Sequence, residues 1–246
     1  PSPAVRRQAL LTAALLKGEA LIEAMGTLLS DPDTGVRHTA SAALRQAWPE
    51  SRSVVLRLLN DSDGRTVSAA LDAIPAGGED VLDVMRAYIQ REVGGIRYWR
   101  TVLESLPEQG RMTRLLRHTI HYRITLIEER LVQAVGVFGN PRAMELVRKG
   151  VSAGTPAARA AALEALETLG DKRITTEVLP ILDRGGMFED MASVRLTHND
   201  LVEFLIRHED RWFRALGAFL VIEWDLREYV IEVRKLSVAE DEDLLV

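Results

Sequence analysis

Thr155-Pro156-Ala157-Ala158-Arg159-Ala160-Ala161-Ala162-Leu163-Glu164-Ala165-Leu166-Glu167-Thr168-Leu169-Gly170, continued by DKRITTEVLPILD over 171–183, decides how this chain is read. Ala158, Ala161, Ala162, Ala165, Leu166 and Leu169 recur at i, i+3, i+4, i+7, i+8 and i+11, which is one stripe of an α-helix. Thr155 is placed to cap that helix, and Pro156 occupies the first helical position, where its missing N–H costs nothing. Gly170 falls where a left-handed C-cap is expected. Ile174, Val178, Ile181 and Leu182 repeat the pattern on a second, shorter helix that carries Pro180 inside it, where a kink or a stop is expected. A pair of short amphipathic helices cannot bury its apolar faces alone and needs similar pairs stacked on both sides.

Upstream the same design recurs. Val5, Ala9, Ala13 and Leu16 form a first stripe, Gly18 ends it, and 21–29 supply the return helix. The turns Asp31-Pro32-Asp33-Thr34-Gly35 and Asn60-Asp61-Ser62-Asp63-Gly64 each introduce a new stripe, Val36–Ala47 and Val67–Ile74, with Pro49 and Pro75 as stops. Residues 80–92 read as a return helix, Gly94-Gly95 as a break, and Ile96–Leu106 as the next helix, ended by Pro107. Met112–Ile120 returns, and a helix from about Tyr122 to Phe138 follows, closed by Gly139-Asn140-Pro141. Val36, Val67, Ile96, Ile127 and Ala158 are spaced by 31, 29, 31 and 31 residues, the spacing of helix-hairpin repeats. The next step, to Trp212, is 54 and implies an irregular insertion at about 184–200. A last pair, Trp212–Trp224 and Glu228–Leu236, holds the densest aromatics, expected to cap the core or dock a neighbouring domain.

Composition agrees with helices. Hydrophobic residues are 47% of the chain but aromatics only 5%, a mix suited to close helix–helix packing rather than to a sandwich or barrel. Without cysteine there is no disulfide, thiolate metal site or cysteine nucleophile. The net charge of −5 is uneven: 16 Lys and Arg face 14 Asp and Glu up to Arg123, and 15 face 22 from Ile124 onward. A general nucleic-acid binder wants a dominant basic surface, so nucleic acid is not an expected partner. No apolar run of about 18 residues exists to cross a bilayer. The opening Pro1-Ser2-Pro3-Ala4-Val5-Arg6 looks like the turn and first helical residues of a repeat whose partner lies upstream, as in a segment of a longer chain.

Asp31-Pro32-Asp33 followed by Val36-Arg37-x-x-Ala40-x-x-Ala43-Leu44 is similar to the HEAT-repeat pattern. Asp61-Ser62-Asp63 with Val67-x-x-Ala70-Leu71 is a weaker copy, because Ser68 stands where arginine is expected. Over 133–246, the runs Asn140–Gly150, Ala157–Glu167 and Val178–Asp183 resemble a HEAT segment of bacterial fusion proteins. There it lies between a nucleotide-transporter-like membrane region of the major facilitator type and a cyclic-nucleotide-binding domain. Pro180 belongs to that pattern, and Asp243-Leu244-Leu245-Val246 looks like the approach to the last domain. The resemblance implies an all-α fold, an armadillo-like α-α superhelix of about six to seven antiparallel helix pairs, as one domain over 1–246. It implies a non-catalytic scaffold, cytoplasmic and tethered to the inner membrane in the full-length protein, whose partners are protein domains in cis.

Arg111, Arg114, Arg117, His118 and His121, with Arg97 and Arg100 nearby, are the strongest concentration of one charge sign, and spacings of three and four put Arg114, Arg117, His118 and His121 on one side of a helix. Such a run reads as a solvated face whose arginines pair with Glu104, Glu108 and Glu128, or else as a site for an acidic partner, phosphate or anionic headgroups. His118 and His121 lack a third metal ligand at useful spacing, so no metal or cofactor is expected. Trp99 and Trp212 fall on apolar stripes and are expected in the core. No phosphate loop, Ser/His/Asp signature or convergent carboxylate pair points to an enzyme; a HEAT-like enzyme is the remaining alternative and would need a deep polar pocket with a shifted carboxylate.

Overall fold

The computed structural model describes residues 1–16, 18–77, 79–139, 141–152, 155–183 and 195–235. The regular structure among these residues is all helical, and no strand occurs among them. The helices are α1 (Pro3–Ala13), α2 (Glu19–Thr27), α3 (Thr34–Gln46), α4 (Arg52–Leu58), α5 (Gly64–Ala73), α6 (Leu82–Ser105), α7 (Arg111–Gly136), α8 (Pro141–Ser152), α9 (Pro156–Leu169), α10 (Lys172–Leu182), α11 (His198–Ile206) and α12 (Arg211–Glu223). A short 3-10 turn, Arg227–Tyr229, leads into a further helical run over 230–235. The chain divides into two compact units, Pro1–Gly94 with Leu126–Gly186, and Gly95–Thr125 with Met187–Val246.

In the first unit α3 packs on both α1 and α5, α2 packs on α3 and α4, and α8 and α10 both pack on α9. The two aspartate turns explain the entries of α3 and α5. Asp31 accepts the Asp33 N–H at 2.8 Å and Asp61 accepts the Asp63 N–H at 2.7 Å, an Asx turn made twice. Asp33 and Asp63 then cap their helices by accepting from Val36 N–H and Arg65 N–H. Hydrogen bonds also run from hairpin to hairpin. Arg6 grips Asp31 with two nitrogens at 2.6 and 2.7 Å, and Ser41 of α3 donates to the Ala69 carbonyl of α5 at 2.7 Å. Ser68, at the expected arginine position, donates instead to Gln133, whose amide returns hydrogen bonds to the Ser68 carbonyl and Asp72.

Several expectations are corrected. The Gly94-Gly95 break is not there, because α6 runs through both glycines. Two helical glycines cost about 1 kcal/mol each. Burial of Met85, Ile89, Val93, Ile96, Trp99 and Val102 along the same helix outweighs that, and no capping residue sits between Glu92 and Arg97 to end it. The helices expected at 112–120 and 122–138 are likewise one, α7, with no breaker between them. Gly170 is extended (φ −83°, ψ 158°) rather than left-handed; a β-carbon there would run into Thr175 and the Leu166 carbonyl. On α1 the buried residue is Leu10, while Val5 and Leu16 of the expected stripe are exposed.

The entry to α9 is as expected, with Thr155 accepting from Ala158 N–H and Pro156 first in the helix. α10 ends two residues after Pro180. Small residues set the approach of α8 to α9: a β-carbon on Gly150 would lie 2.6 Å from that of Ala162. Of the insertion expected at about 184–200, residues 184–194 lie outside the described residues, as do Asn140 and the acidic 239–243; His198 already begins α11.

Candidate interaction surface

The second unit is organised by an aromatic cluster. Trp99 of α6 stacks on Phe213 of α12 with ring centroids 4.7 Å apart, and meets Phe204 of α11 edge-on at 5.5 Å. His208, in the α11–α12 turn, lies 4.8 Å from the Phe213 ring and 5.4 Å from Phe204. The Arg123 guanidinium sits over both Trp99 and Phe213, at 5.6 and 5.3 Å, and pairs with Asp210 at 3.3 Å. α11 and α12 approach so closely that a β-carbon on Gly217 would lie 2.8 Å from that of Leu205 and 3.0 Å from the Ile206 nitrogen. An open cleft of about 680 Å³ beside this cluster is lined by Tyr98, Phe204, His208, Glu203 and Arg207 among others.

His208 Nδ1 accepts the Asp210 N–H at 2.9 Å, which requires that nitrogen to be unprotonated. Burial, then the nearby Arg123, push the imidazole below its ordinary pKa of 6.5, against the opposing charges of Asp210 and Glu209. A histidine with a depressed folded pKa stabilises the fold fully above about pH 6.5 and loses that stability as pH falls toward the folded value. The melting temperature should therefore drop between pH 7.5 and 5.5, and His208→Asn, which keeps an acceptor but cannot titrate, should flatten that slope. An unchanged slope in the variant would contradict this placement of His208.

A second lock holds the start of α7. The Glu223 carboxylate, at the end of α12, accepts from Met112 N–H at 2.8 Å, Thr113 N–H at 3.0 Å and the Thr113 hydroxyl at 2.8 Å, so a side chain from far along the chain caps this helix. Burial works to raise its pKa, but these hydrogen bonds outweigh burial and hold the carboxyl below its ordinary value. Gly110, at φ +119°, leaves the room that the carboxylate needs. Glu223→Ala should cost about 1.5–3 kcal/mol near neutrality. That gap should shrink as pH falls from the ordinary glutamate value of about 4.3 and close once the pH is below the lower folded value, where the wild-type carboxyl is protonated. Urea unfolding at both pH values measures it.

The predicted basic residues separate into two kinds. Arg111, Arg114, His118 and His121 are exposed along α7, and Arg97 is exposed on α6. Arg117, from the same run, turns inward and donates to the carbonyls of Leu103, Leu106 and Pro107, satisfying the end of α6. Arg100 is half-buried. The expected partners do not neutralise this face. Glu128 is buried in the first unit against Arg159 at 3.2 Å, and Glu104 and Glu108 form no ion pair among the described residues. No group of three His, Asp or Glu side chains among the described residues could hold a metal ion.

Trp212 corrects another expectation: it is 51% exposed. The buried stripe of α12 is Phe213, Leu216 and Leu220, and Trp212, one residue before it, is rotated about 100° away. Trp212, Phe219 and Ile222 form an exposed apolar stripe of their own, whereas Trp224 is half-buried and stacks on His198 at 4.3 Å. Capping therefore accounts for Phe213 and Trp224 but not for Trp212 and Phe219. Sequence reasoning missed Glu223, His208 and Arg123; only the aspartate–aromatic step Asp210-Arg211-Trp212 at the start of α12 hinted at a structured turn. No helix among the described residues is long and apolar enough to cross a membrane. No protein-family model matches the sequence, and neither the curated proteins nor the solved structures contain a match to it.

Proposed function

We propose that the chain is a non-catalytic HEAT-type scaffold whose helix pairs stack as an α-α superhelix, and that it connects a transporter-like membrane region to a cyclic-nucleotide-sensing domain on the cytoplasmic side. The observation that carries the reading is the seating of α3 between α1 and α5, tied by Arg6 to Asp31 and by Ser41 to the Ala69 carbonyl. Each hairpin there supplies its neighbour with both apolar cover and hydrogen-bond partners, which is how repeat arrays gain stability. In such an array small rotations between neighbours add along the stack, so a change at one end moves the other. The test is the complete reading frame, followed by hydrogen exchange on the full-length protein with and without cyclic nucleotide. Protection across 1–246 should change on binding. A frame lacking both flanking regions, or unchanged exchange, overturns the linking role.

A second reading, anion or nucleic-acid binding through residues 111–123, draws on the exposed Arg111, Arg114 and His118, which have no acidic partner among the described residues. It requires steeply salt-dependent binding of an oligonucleotide that weakens in Arg111→Ala/Arg114→Ala. No binding at low salt removes it.

A further inference from the structure

We infer that the seam between α7 and α12 in the second unit receives an amphipathic helix with an acidic edge. The inference rests on the scaffold reading and names the kind of segment the scaffold holds. α7 and α12 lie side by side and antiparallel: Glu223, at the end of α12, caps the start of α7, and Trp212, near the start of α12, donates from its indole to the Thr119 hydroxyl at 3.3 Å. Trp212 and Phe219 share the edge of α12 that carries Glu223, so both stand along the seam, and Ile222 continues the apolar line. These three are 51%, 55% and 76% exposed. On α7, Leu115 and Tyr122 are seven residues apart, lie on one face with Thr119 close by, and are exposed as well. From Trp212 to Ile222 the apolar line is about 15 Å long, nearly three helical turns. Its length and straightness fit a helix laid along it better than a loop tip or a single side chain.

Charge selects the kind of helix. Helical spacing puts Arg111, His118 and Arg114 on the side of Leu115 and Tyr122 that faces away from α12, so cations line one border of the apolar seam. These cations have no acidic partner among the described residues. A partner helix with Leu or Met in the seam and Glu or Asp along that border would satisfy both features at once. A phosphate backbone would leave the exposed Trp212, Phe219 and Ile222 unmatched, and two arginines with one histidine are few for it.

The test uses the intact chain and two model helices of about 18 residues, identical on their leucine face, one with a glutamate edge and one with a lysine edge. Calorimetry should show the glutamate helix binding at least about tenfold more tightly than its lysine twin, and more weakly in high salt. Trp212→Ala/Phe219→Ala should lose about tenfold or more in affinity. Both positions are about half exposed, so circular dichroism should keep the parent's helix content while the melting temperature falls by only a few degrees. Arg111→Glu/Arg114→Glu should reverse the preference toward the lysine helix. Equal binding of the two helices, no binding, self-association through the seam, or binding only to anionic vesicles or an oligonucleotide overturns the inference. Those outcomes leave the cyclic-nucleotide exchange experiment intact, so the two readings fail separately.

Discussion

Arg159→Met should destabilise the chain by about 3–5 kcal/mol, the cost typical of breaking a buried ion pair from one side. Arg159 reaches from α9 into the interior of the first unit, where it donates to Glu128 at 3.2 Å, to the Leu182 carbonyl at 2.7 and 3.1 Å and to the Val151 carbonyl at 3.3 Å. Val151 and Leu182 stand at the ends of α8 and α10, so one cation meets two helix C-termini and a carboxylate that is only 1% exposed. Methionine fills much of the same volume but strips Glu128 of this cation and leaves two terminal carbonyls short of a donor. The double variant Glu128→Gln/Arg159→Met should recover part of the loss, because the buried side chain that Arg159 faced then carries no charge. Urea unfolding followed by circular dichroism measures both. A single-variant loss below about 1 kcal/mol would mean that the pair is solvated after all.

Trp99→Ala should cost about 3–5 kcal/mol in the second unit, the usual range for deleting a buried aromatic. The indole touches Phe204, His208 and Phe213 and lies under Arg123, so its loss opens a cavity that elements from three places in the chain would have to close. Trp99→Phe, which retains a ring for Phe213, should cost less. Trp212→Ala, with the same side chain removed from a site half open to solvent, should cost less than half as much. If the two tryptophan variants melt alike, the assignment of one to the core and the other to the surface is wrong.

The contrast between those tryptophans shows where the sequence was legible. Some helix starts were, because Thr155 and the aspartate turns at 31–35 and 60–64 each stand before an apolar stripe, and so were the stops before Pro49, Pro75 and Pro107, whereas the capping box of Thr197 and Asp200 was read as part of an irregular insertion. Gly94-Gly95 was not legible, since a glycine pair ends a helix only when the surrounding packing lets it, and the residues on either side are buried along one continuous helix. Trp212 was misplaced because α12 carries apolar residues nearly all round, so its buried side cannot be read from periodicity. The basic run was found, yet the division between Arg117, which caps α6, and Arg114, which faces solvent, depends on where another helix ends. Glu223 and Arg159 were invisible for the same reason: their partners are remote in sequence.

The remote cap on α7 also bears on the order in which the polypeptide can mature at the ribosome. Trp99 and the start of α7 are made about a hundred residues before Phe204, Phe213 and Glu223 emerge. During that interval, roughly 5–20 s at the usual bacterial to eukaryotic pace of synthesis, the indole has none of these partners and the first turn of α7 has no acceptor for its Met112 and Thr113 amides. A nascent chain stalled before residue 200 should therefore recruit holdase chaperones through Ile96–Leu106, whereas one released after residue 235 should not.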